Sequence, residues 1–404
     1  MSLLTKLSSL PDAIKQYLIV TGNYWAFTLT DGALRMLVVL YFHQLGYAPL
    51  EIAMLFLFYE FFGVVTNLVG GWLGARLGLN RTMNIGLAMQ VIALAMLLVP
   101  ETYLTVIWVM MAQALSGIAK DLNKMSAKSS IKLLVPGDAQ GKLYQWVAIL
   151  TGSKNTLKGV GFFLGGALLS AFGFQTAIMI MAIALALVWL MSIMLLKQDM
   201  GKAKNKPKFS QIFSKSQAIN YLSAARMFLF GARDVWFVIA LPVFLASQFD
   251  WDHWYVGGFL ACWVIGYGIV QTFAPYFTGK KQGKVPNGKA AFAWALPLVS
   301  VPLVIAASLH FNWQVSAVLL SGLMVFAVLF AINSSLHSYL IVSYAGDDGV
   351  SLDVGFYYMA NAMGRLIGTV LSGWLFGAYG LTVCLIVSAI FILLAALLAL
   401  KLPR

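Results

Sequence analysis

Apolar residues run through this chain in windows of about 20, separated by short gaps rich in Gly, Lys, Asp or Pro. Such a window matches the ~30 Å hydrocarbon core of a bilayer, which a helix rising ~1.5 Å per residue crosses in about 20 residues. The pattern predicts spans at about 16–43, 49–74, 82–100, 103–130, 141–172 and 175–197. A second set follows at about 216–247, 254–279, 289–310, 313–344, 350–379 and 380–402. Between the sets lies "KQDMGKAKNKPKFSQIFSKS", which reads as an exposed, mobile connection. The expected fold is an all-α membrane protein: twelve transmembrane helices in two pseudo-symmetric six-helix bundles, residues 1–197 and 216–404, joined by a Lys-rich linker, 198–215. The N-terminal stretch shows no small-residue cleavage site after a short apolar core, so a retained span is expected there.

Composition agrees with the pattern. Of 404 residues, 61% are hydrophobic and only 10% charged, against about a quarter charged in a soluble domain. The two cysteines, Cys262 and Cys384, fall in separate spans and give no disulfide framework, zinc spacing or thiol cluster. No cofactor and no metal is expected.

The net charge of +13 would suit a nucleic-acid partner, but the positions of the charges argue against one. With the N-terminus placed inside, the inner segments carry Lys6, Lys15, Arg76, Arg81, Lys128, Lys132, Lys142, six linker lysines, Lys280, Lys281, Lys284, Lys289, Lys401 and Arg404. The outer loops carry no cation and hold Glu51, Glu101, Asp250 and Asp252. This bias predicts both termini in the cytoplasm. It also makes most of the positive charge a matter of topology, with membrane lipid headgroups as incidental partners.

The halves resemble each other. Shifted by 207 positions, "KNTLKGVGFFLGGALLSAFG" (154–173) lies on "NAMGRLIGTVLSGWLFGAYG" (361–380), pairing Lys158 with Arg365, Gly161 with Gly368, Gly166 with Gly373 and Gly173 with Gly380. A duplicated six-span unit with a long central loop is the plan of a secondary transporter whose substrate site lies near mid-membrane.

Eight cations are not explained by topology: Arg35, Lys120, Lys124, Lys154, Lys158, Arg226, Arg233 and Arg365. Only four acids accompany them, Asp31, Glu60, Asp121 and Asp234. A charge at the bilayer centre costs roughly 2.5–3.5 kcal/mol on insertion scales, so it persists for pairing or function. Asp31 and Arg35 have the spacing of an intrahelical pair, and Asp121 can serve Lys124. Lys124 can alternatively snorkel. Asp234 is expected to need a partner other than its neighbour Arg233, and pairing is expected to absorb at most half of the cations. Like charges around a wet cavity are relieved by an anion, with arginine offering a fork and lysine a point charge. The eight cations are therefore candidate substrate ligands, together with the polar residues Asn23, Tyr267 and Asn361. Asp31 and Glu60 are the proton-coupling candidates, although Glu60 suits an interhelical hydrogen bond equally well. His337 reads as structural. The sequence holds no HExxH, GxSxG or P-loop pattern, so an enzyme is not expected.

The loop "GGWLGARLGLNR" (70–81) resembles the signature loop of the major facilitator superfamily, with Gly71, Arg76, Gly78 and Arg81 as gating-loop residues and Ala75 where that family carries Asp. The segments "TGNYWAFTLTDGALRMLVVLYFHQLGY", "SGIAKDLNKMSAKSSIKLLVP" and "TGSKNTLKGVGFFLGG" look like the ArsJ family of organoarsenical efflux permeases. That resemblance implies alternating-access export of 1-arseno-3-phosphoglycerate from the cytoplasm across a bacterial inner membrane, and resistance to arsenate; a monomer is expected. It also implies a functional link to glyceraldehyde-3-phosphate dehydrogenase, which makes the ester. A pentavalent arsenate ester is a hard oxyanion suited to Arg and Lys, whereas trivalent arsenic would want clustered thiolates. A sugar-phosphate or other organophosphate carrier, or a multidrug proton antiporter, are the alternatives on the same fold. The cation excess speaks against the antiporter.

Overall fold

The computed structural model describes residues 11–47, 55–196, 200–213, 215–251, 253–279 and 285–403. Several expected features fall outside them: Lys6, the start of the 49–74 span with Glu51, Lys197, Asp252, Lys280, Lys281, Lys284 and Arg404.

The described residues form long helices and no strand. They are α1 (Asp12–Gln44), α2 (Leu57–Leu77), α3 (Leu79–Met96) and α4 (Val106–Leu134). The helical stretch Gln140–Leu195 follows, then α7 (Gln217–Gln248), α8 (His253–Phe277), α9 (Gly288–His310), α10 (Val315–Tyr344) and the stretch Val350–Ala399. The two longest stretches, of 56 and 50 residues, would each measure over 70 Å as one rod, more than twice the ~30 Å core. Each is in fact two helices parted by a single glycine: α5 (140–172) and α6 (174–195) at Gly173, φ 73° and ψ 172°, and α11 (350–379) and α12 (381–399) at Gly380, φ 78° and ψ −177°. Only glycine adopts that region readily. The pairing of Gly173 with Gly380 in the sequence repeat thus marks two equivalent one-residue turns. Gly78, φ 97°, joins α2 to α3 in the same way.

The span expected at 216–247 is broken. Its first piece runs Gln217–Phe237 and its second Ala240–Gln248. Pro242 has no N–H to give to the carbonyl of Val238 and its ring collides there, so the helix cannot run through. The hydroxyl of Ser372 accepts the Ala240 N–H at 3.1 Å and restarts it.

The chain forms two compact units. Unit 1 comprises Met1–Leu143, Leu157–Ser214 and Ala345–Phe356; unit 2 comprises Tyr144–Thr156, Lys215–Tyr344 and Tyr357–Arg404. Each unit therefore includes a piece of a helix belonging mainly to the other stretch of sequence: residues 144–156 of α5 in unit 2, the start of α11 in unit 1.

In unit 1, α4 packs against α1, α2 and α3. Helices approach closely only where glycine leaves room. A Cβ at Gly117 would meet the backbone of Tyr59 at 2.7 Å, and one at Gly161 would meet the Leu29 carbonyl at 2.8 Å and Gly32 at 3.1 Å. In unit 2, α10 has the corresponding place against α7, α8 and α9. Its core is aromatic: Trp236, Trp263, Tyr267, Phe326 and Phe330 pack edge to face or stacked, with Trp263 and Tyr267 rings parallel at 5.8 Å. The close crossing recurs there, since a Cβ at Gly368 would meet the Gly231 carbonyl at 2.7 Å. Gly32 with Gly161 and Gly231 with Gly368 are thus the same crossing, of α1 on α5 and α7 on α11.

The linker is not the free tether its composition predicts. In unit 1 the Ala203 N–H donates to the Ala75 carbonyl at 2.8 Å, and the Leu79 N–H donates to the Met200 carbonyl at 2.8 Å. The Trp72 indole N–H donates to the Pro207 carbonyl at 3.0 Å, and the Trp72 ring meets Phe209 edge to face. Ala203 and Ile212 are buried. Backbone pairing with the α2–α3 turn, which lysine counting does not register, fixes these residues.

Candidate functional site

Unit 1 collects a charged cluster from α1, α2 and α4. Arg35 Nη2 lies 3.1 Å from Glu60 Oε1. The Tyr59 hydroxyl donates to both oxygens of Asp31, at 2.8 and 3.0 Å. The Arg35 guanidinium carbon is 4.6 Å and Lys120 Nζ 3.8 Å from the centre of the Tyr59 ring, both in cation–π range. On α4, Lys124 Nζ is 2.5 Å from Asp121 Oδ1, and Lys120 reaches Oδ2 of the same carboxylate at 4.0 Å.

Two expectations are corrected here. Arg35 turns to Glu60 on α2 rather than to Asp31 on its own helix, because Tyr59 already holds Asp31. Three cations of this unit, Arg35, Lys120 and Lys124, pair with two carboxylates, Glu60 and Asp121, so sharing of acids lets pairing absorb more of the cations than the count of acids implies. The expected Asp121–Lys124 pair does form.

Unit 2 is different. Asp234 is fully buried. Arg233 Nε donates to its Oδ1 at 2.6 Å and Arg365 Nε to its Oδ2 at 3.0 Å. That Arg233 reaches its immediate neighbour corrects the helical-wheel expectation. The two side chains leave the helix about 100° apart, but arginine has enough rotatable bonds to curl its guanidinium back. The Arg233 guanidinium also faces the rings of Phe230, Phe237 and Phe330 at 5.0–5.7 Å.

Arg226, two turns earlier on α7, is buried, at 3% exposure. Its Nε donates to Asn361 Oδ1 at 2.9 Å, and its Nη1 donates to the Ser334 carbonyl and hydroxyl at 3.0 and 3.1 Å. Its guanidinium carbon lies 3.9 Å from the centre of the Phe230 ring and 5.3 Å from that of Tyr357. Among the described residues no carboxylate pairs with it, and Nη2 makes no hydrogen bond. The polar chain continues from Ser334 to Gln271 (3.0 Å) and from Gln271 to Asn155 (2.6 Å). Arg233 and Arg365 therefore share one carboxylate, and Arg226 has none among the described residues.

The crossing glycines relate the two clusters. Three residues past Gly32 stands Arg35, and three past Gly231 stands Asp234. Three before Gly161 stands Lys158, and three before Gly368 stands Arg365. Where unit 2 sets an acid against a base, unit 1 sets two bases. Lys158 is half-buried, with Nζ 6.0 Å from the centre of the Phe162 ring; Lys154, also half-buried, falls in the piece of α5 grouped with unit 2.

The remaining candidates separate. The Asn23 amide donates to the Ser192 hydroxyl at 2.8 Å, and Ser192 donates in turn to Asn84, so Asn23 braces α1 against α6 and α3. Tyr267 belongs to the aromatic core and Asn361 holds Arg226. His337 is buried, and its Nδ1 has no hydrogen-bond partner among the described residues. In the gating loop, Gly71 touches the start of α11: its carbonyl accepts from the Ser351 hydroxyl at 2.7 Å, and a Cβ there would meet the Ser351 carbonyl at 2.5 Å. Arg76 lies over the Trp72 ring at 4.9 Å, and Arg81 is exposed. Ala75 brings no acid to this loop, and two acids stand at the turn before α11. Asp347 lies 3.7 Å from Lys132, and Asp348 accepts from the Lys204 N–H at 2.9 Å.

Sequence reasoning missed three participants. Tyr59 sits at the centre of the unit 1 cluster, Ser334 is the hub of the unit 2 chain, and Lys128, counted as a loop cation, is buried at 2% exposure within α4. The spacing Asp121, Lys124, Lys128 on one helical face was the available signal for the last. A cavity of about 530 Å³ lined by Phe244, Gln248, Asn312, Phe376 and Thr382 among others has no charged residue in its wall and offers no anion chemistry.

Among the described residues, seven helical stretches are long and apolar enough to cross a membrane, and with paired glycine crossings and buried charges they have the plan of a multi-pass membrane transporter. Residues 20–346 match the family model of the Major Facilitator Superfamily, and the chain belongs to that family. No curated protein matches the sequence. Among solved structures, the chain is similar to the human organic anion transporter MFSD10 (TETRAN), with TM-score 0.76, 16% identity, and coverage of 96% of this chain and 100% of that one. It is similar also to a single-site variant of the E. coli fucose:proton symporter, FucP, with TM-score 0.75, 14% identity, and coverage of 98% and 100%. A bacterial homologue of the iron transporter ferroportin, in an outward-facing state with soaked iron, gives TM-score 0.72, 14% identity, and coverage of 95% and 98%. At these identities the likeness is one of fold.

Proposed function

We propose that this secondary active transporter carries a small, multiply charged organic anion, and that the anion is 1-arseno-3-phosphoglycerate, exported from the cytoplasm across a bacterial inner membrane in which both termini face inward. The anionic substrate is supported above all by Arg226, a buried cation whose partners are all neutral, next to two further arginines that share one carboxylate. The arsenate ester is supported by the three segments that resemble the ArsJ permeases. In unit 2, Arg226, Arg233 and Arg365, with Lys154, supply the positive charge, and Asn361 orients Arg226; Lys158 is the candidate cation of unit 1.

The membrane potential is sufficient to drive export. Each charge moved across 100 mV is worth about 2.3 kcal/mol, so roughly three negative charges leaving a negative interior gain ~7 kcal/mol, about a 10⁵-fold gradient. Asp31 and Glu60 remain the acids to examine for proton coupling. Both are engaged, by Tyr59 and Arg35.

The test is uptake of the ester into everted vesicles, made in place by the dehydrogenase with arsenate. Lys158→Ala and Arg365→Ala are each expected to abolish uptake while the protein still reaches the membrane folded. Full arsenate resistance in cells carrying either substitution refutes the assignment. Uptake of a stable phosphate ester but not of the arsenate ester would reassign the substrate within the organophosphate class.

A further inference from the structure

The carboxylate that neutralises the unit 2 arginines has the chemistry of a ligand. A carboxylate and a phosphate are both oxyanions whose paired oxygens accept the parallel N–H groups of a guanidinium fork. Each oxygen of Asp234 is taken by a different arginine, Oδ1 by Arg233 from α7 and Oδ2 by Arg365 from α11. The carboxylate is fully buried, whereas the Arg365 side chain is 30% exposed and that of Arg233 15%, so the guanidinium groups are reached from outside and the acid is not. The crossing itself does not require an acid. At the equivalent place beside the unit 1 crossing, three residues past Gly32, stands Arg35. An acid placed there in one repeat only, against two candidate anion ligands, needs a reason other than helix packing.

We propose that Asp234 is a tethered competitor for the transported anion: its carboxylate occupies Arg233 and Arg365 in the empty protein, and the substrate's phosphate-type group must displace it. The proposal rests on the anion reading above and adds the element that sets affinity. A transporter gains nothing from binding its cargo so tightly that it cannot release it, and an internal carboxylate lets the arginines exchange one oxyanion for another without ever standing as unpaired buried charges. It also selects by charge. A monovalent anion offers the arginines no more than Asp234 already gives, whereas a divalent one does.

The test uses the full-length protein in lipid nanodiscs with 3-phosphoglycerate as probe, binding being read by calorimetry and by the shift in melting temperature. Asp234→Asn keeps the side-chain shape and an acceptor oxygen but removes the charge, and is expected to bind the probe at least tenfold more tightly than the wild type. Asp234→Glu keeps the competitor and is expected to stay within about threefold of the wild type. A merely structural role for Asp234 would lower affinity or leave it unchanged in both. Probe binding by the wild type with no gain in Asp234→Asn overturns the proposal while leaving the anion reading intact, as does a tenfold gain shared by Asp234→Glu. If none of the three proteins binds the probe, the anion reading fails and the proposal with it. Should Asp234→Asn melt before the titration, its melting is followed against probe concentration. Rescue at concentrations that saturate the wild type supports the competitor, and no rescue overturns it.

Discussion

Replacing Arg226 by methionine separates a ligand from a structural cation, because the two roles predict opposite balances of stability and function. Methionine is unbranched and apolar and fills the channel that the arginine stem occupies. Exchanging a buried charge for a hydrophobe of similar volume is neutral or stabilising by about 1–4 kcal/mol when no partner charge is left behind. It is destabilising by about 3–5 kcal/mol when one is. Arg226 has no carboxylate partner to strand among the described residues. Its removal strands Asn361 Oδ1, at about 1–3 kcal/mol. The Ser334 hydroxyl still receives the Gln271 amide at 3.0 Å. The two contributions oppose each other, so the net change in stability is expected to lie within about 2 kcal/mol of zero. Anion binding has no such compensation. A unit charge 8 Å from an anion in a medium of effective dielectric about 20 is worth roughly 2 kcal/mol, or about 30-fold in affinity, and twice that at ~4 Å. The assay is a thermal melt of purified Arg226→Met beside vesicle uptake normalised to folded protein. A melting temperature near that of the wild type with uptake lost is the expected result. A loss of 3 kcal/mol or more in stability, with uptake per folded molecule unchanged, would refute the ligand role.

Other consequences follow from the backbone. Gly364→Ala drives a Cβ into the Met227 carbonyl and is expected to prevent assembly of α11 on α7, whereas Gly377→Ala meets nothing within 4 Å and should stabilise the same helix by up to about 1 kcal/mol; expression and melting of the pair decide. Gly173→Val and Gly380→Val force a β-branched residue to a φ above 70°, and each is expected to cost on the order of 1–3 kcal/mol, seen as a lower melting temperature with similar effects in the two repeats. Ala203→Pro removes the N–H that pairs with Ala75, and at about 1 kcal/mol per hydrogen bond limited trypsin digestion at Lys204 and Lys208 should run about fivefold faster. Unchanged digestion would mean that this hydrogen bond does not hold the linker.

Much of this architecture was legible in the residues themselves. Hydrophobic windows fix where helices cross, because the cost of exposing apolar surface or unpaired backbone depends on local composition alone. The 207-residue repeat was legible for the same reason: Gly173 and Gly380 answer a local backbone demand, a turn of one residue at positive φ. The surplus of arginine over acid in the second half could also be counted directly. What only the tertiary structure decided was which charge answers which. Asp31 is held by Tyr59 and Arg35 by Glu60, although the helix spacing allowed them to hold each other. Arg233 bends back to its own neighbour while Arg365 reaches the same acid from 131 positions away. The linker lysines sit on a length of backbone that pairs with the α2–α3 turn. An ion pair at 3 Å is set by rotamers and by the crossing of helices distant in the chain, and neither leaves a periodic mark. Sequence therefore dictates where charge is buried, and packing determines whether that charge is cancelled or kept for a ligand.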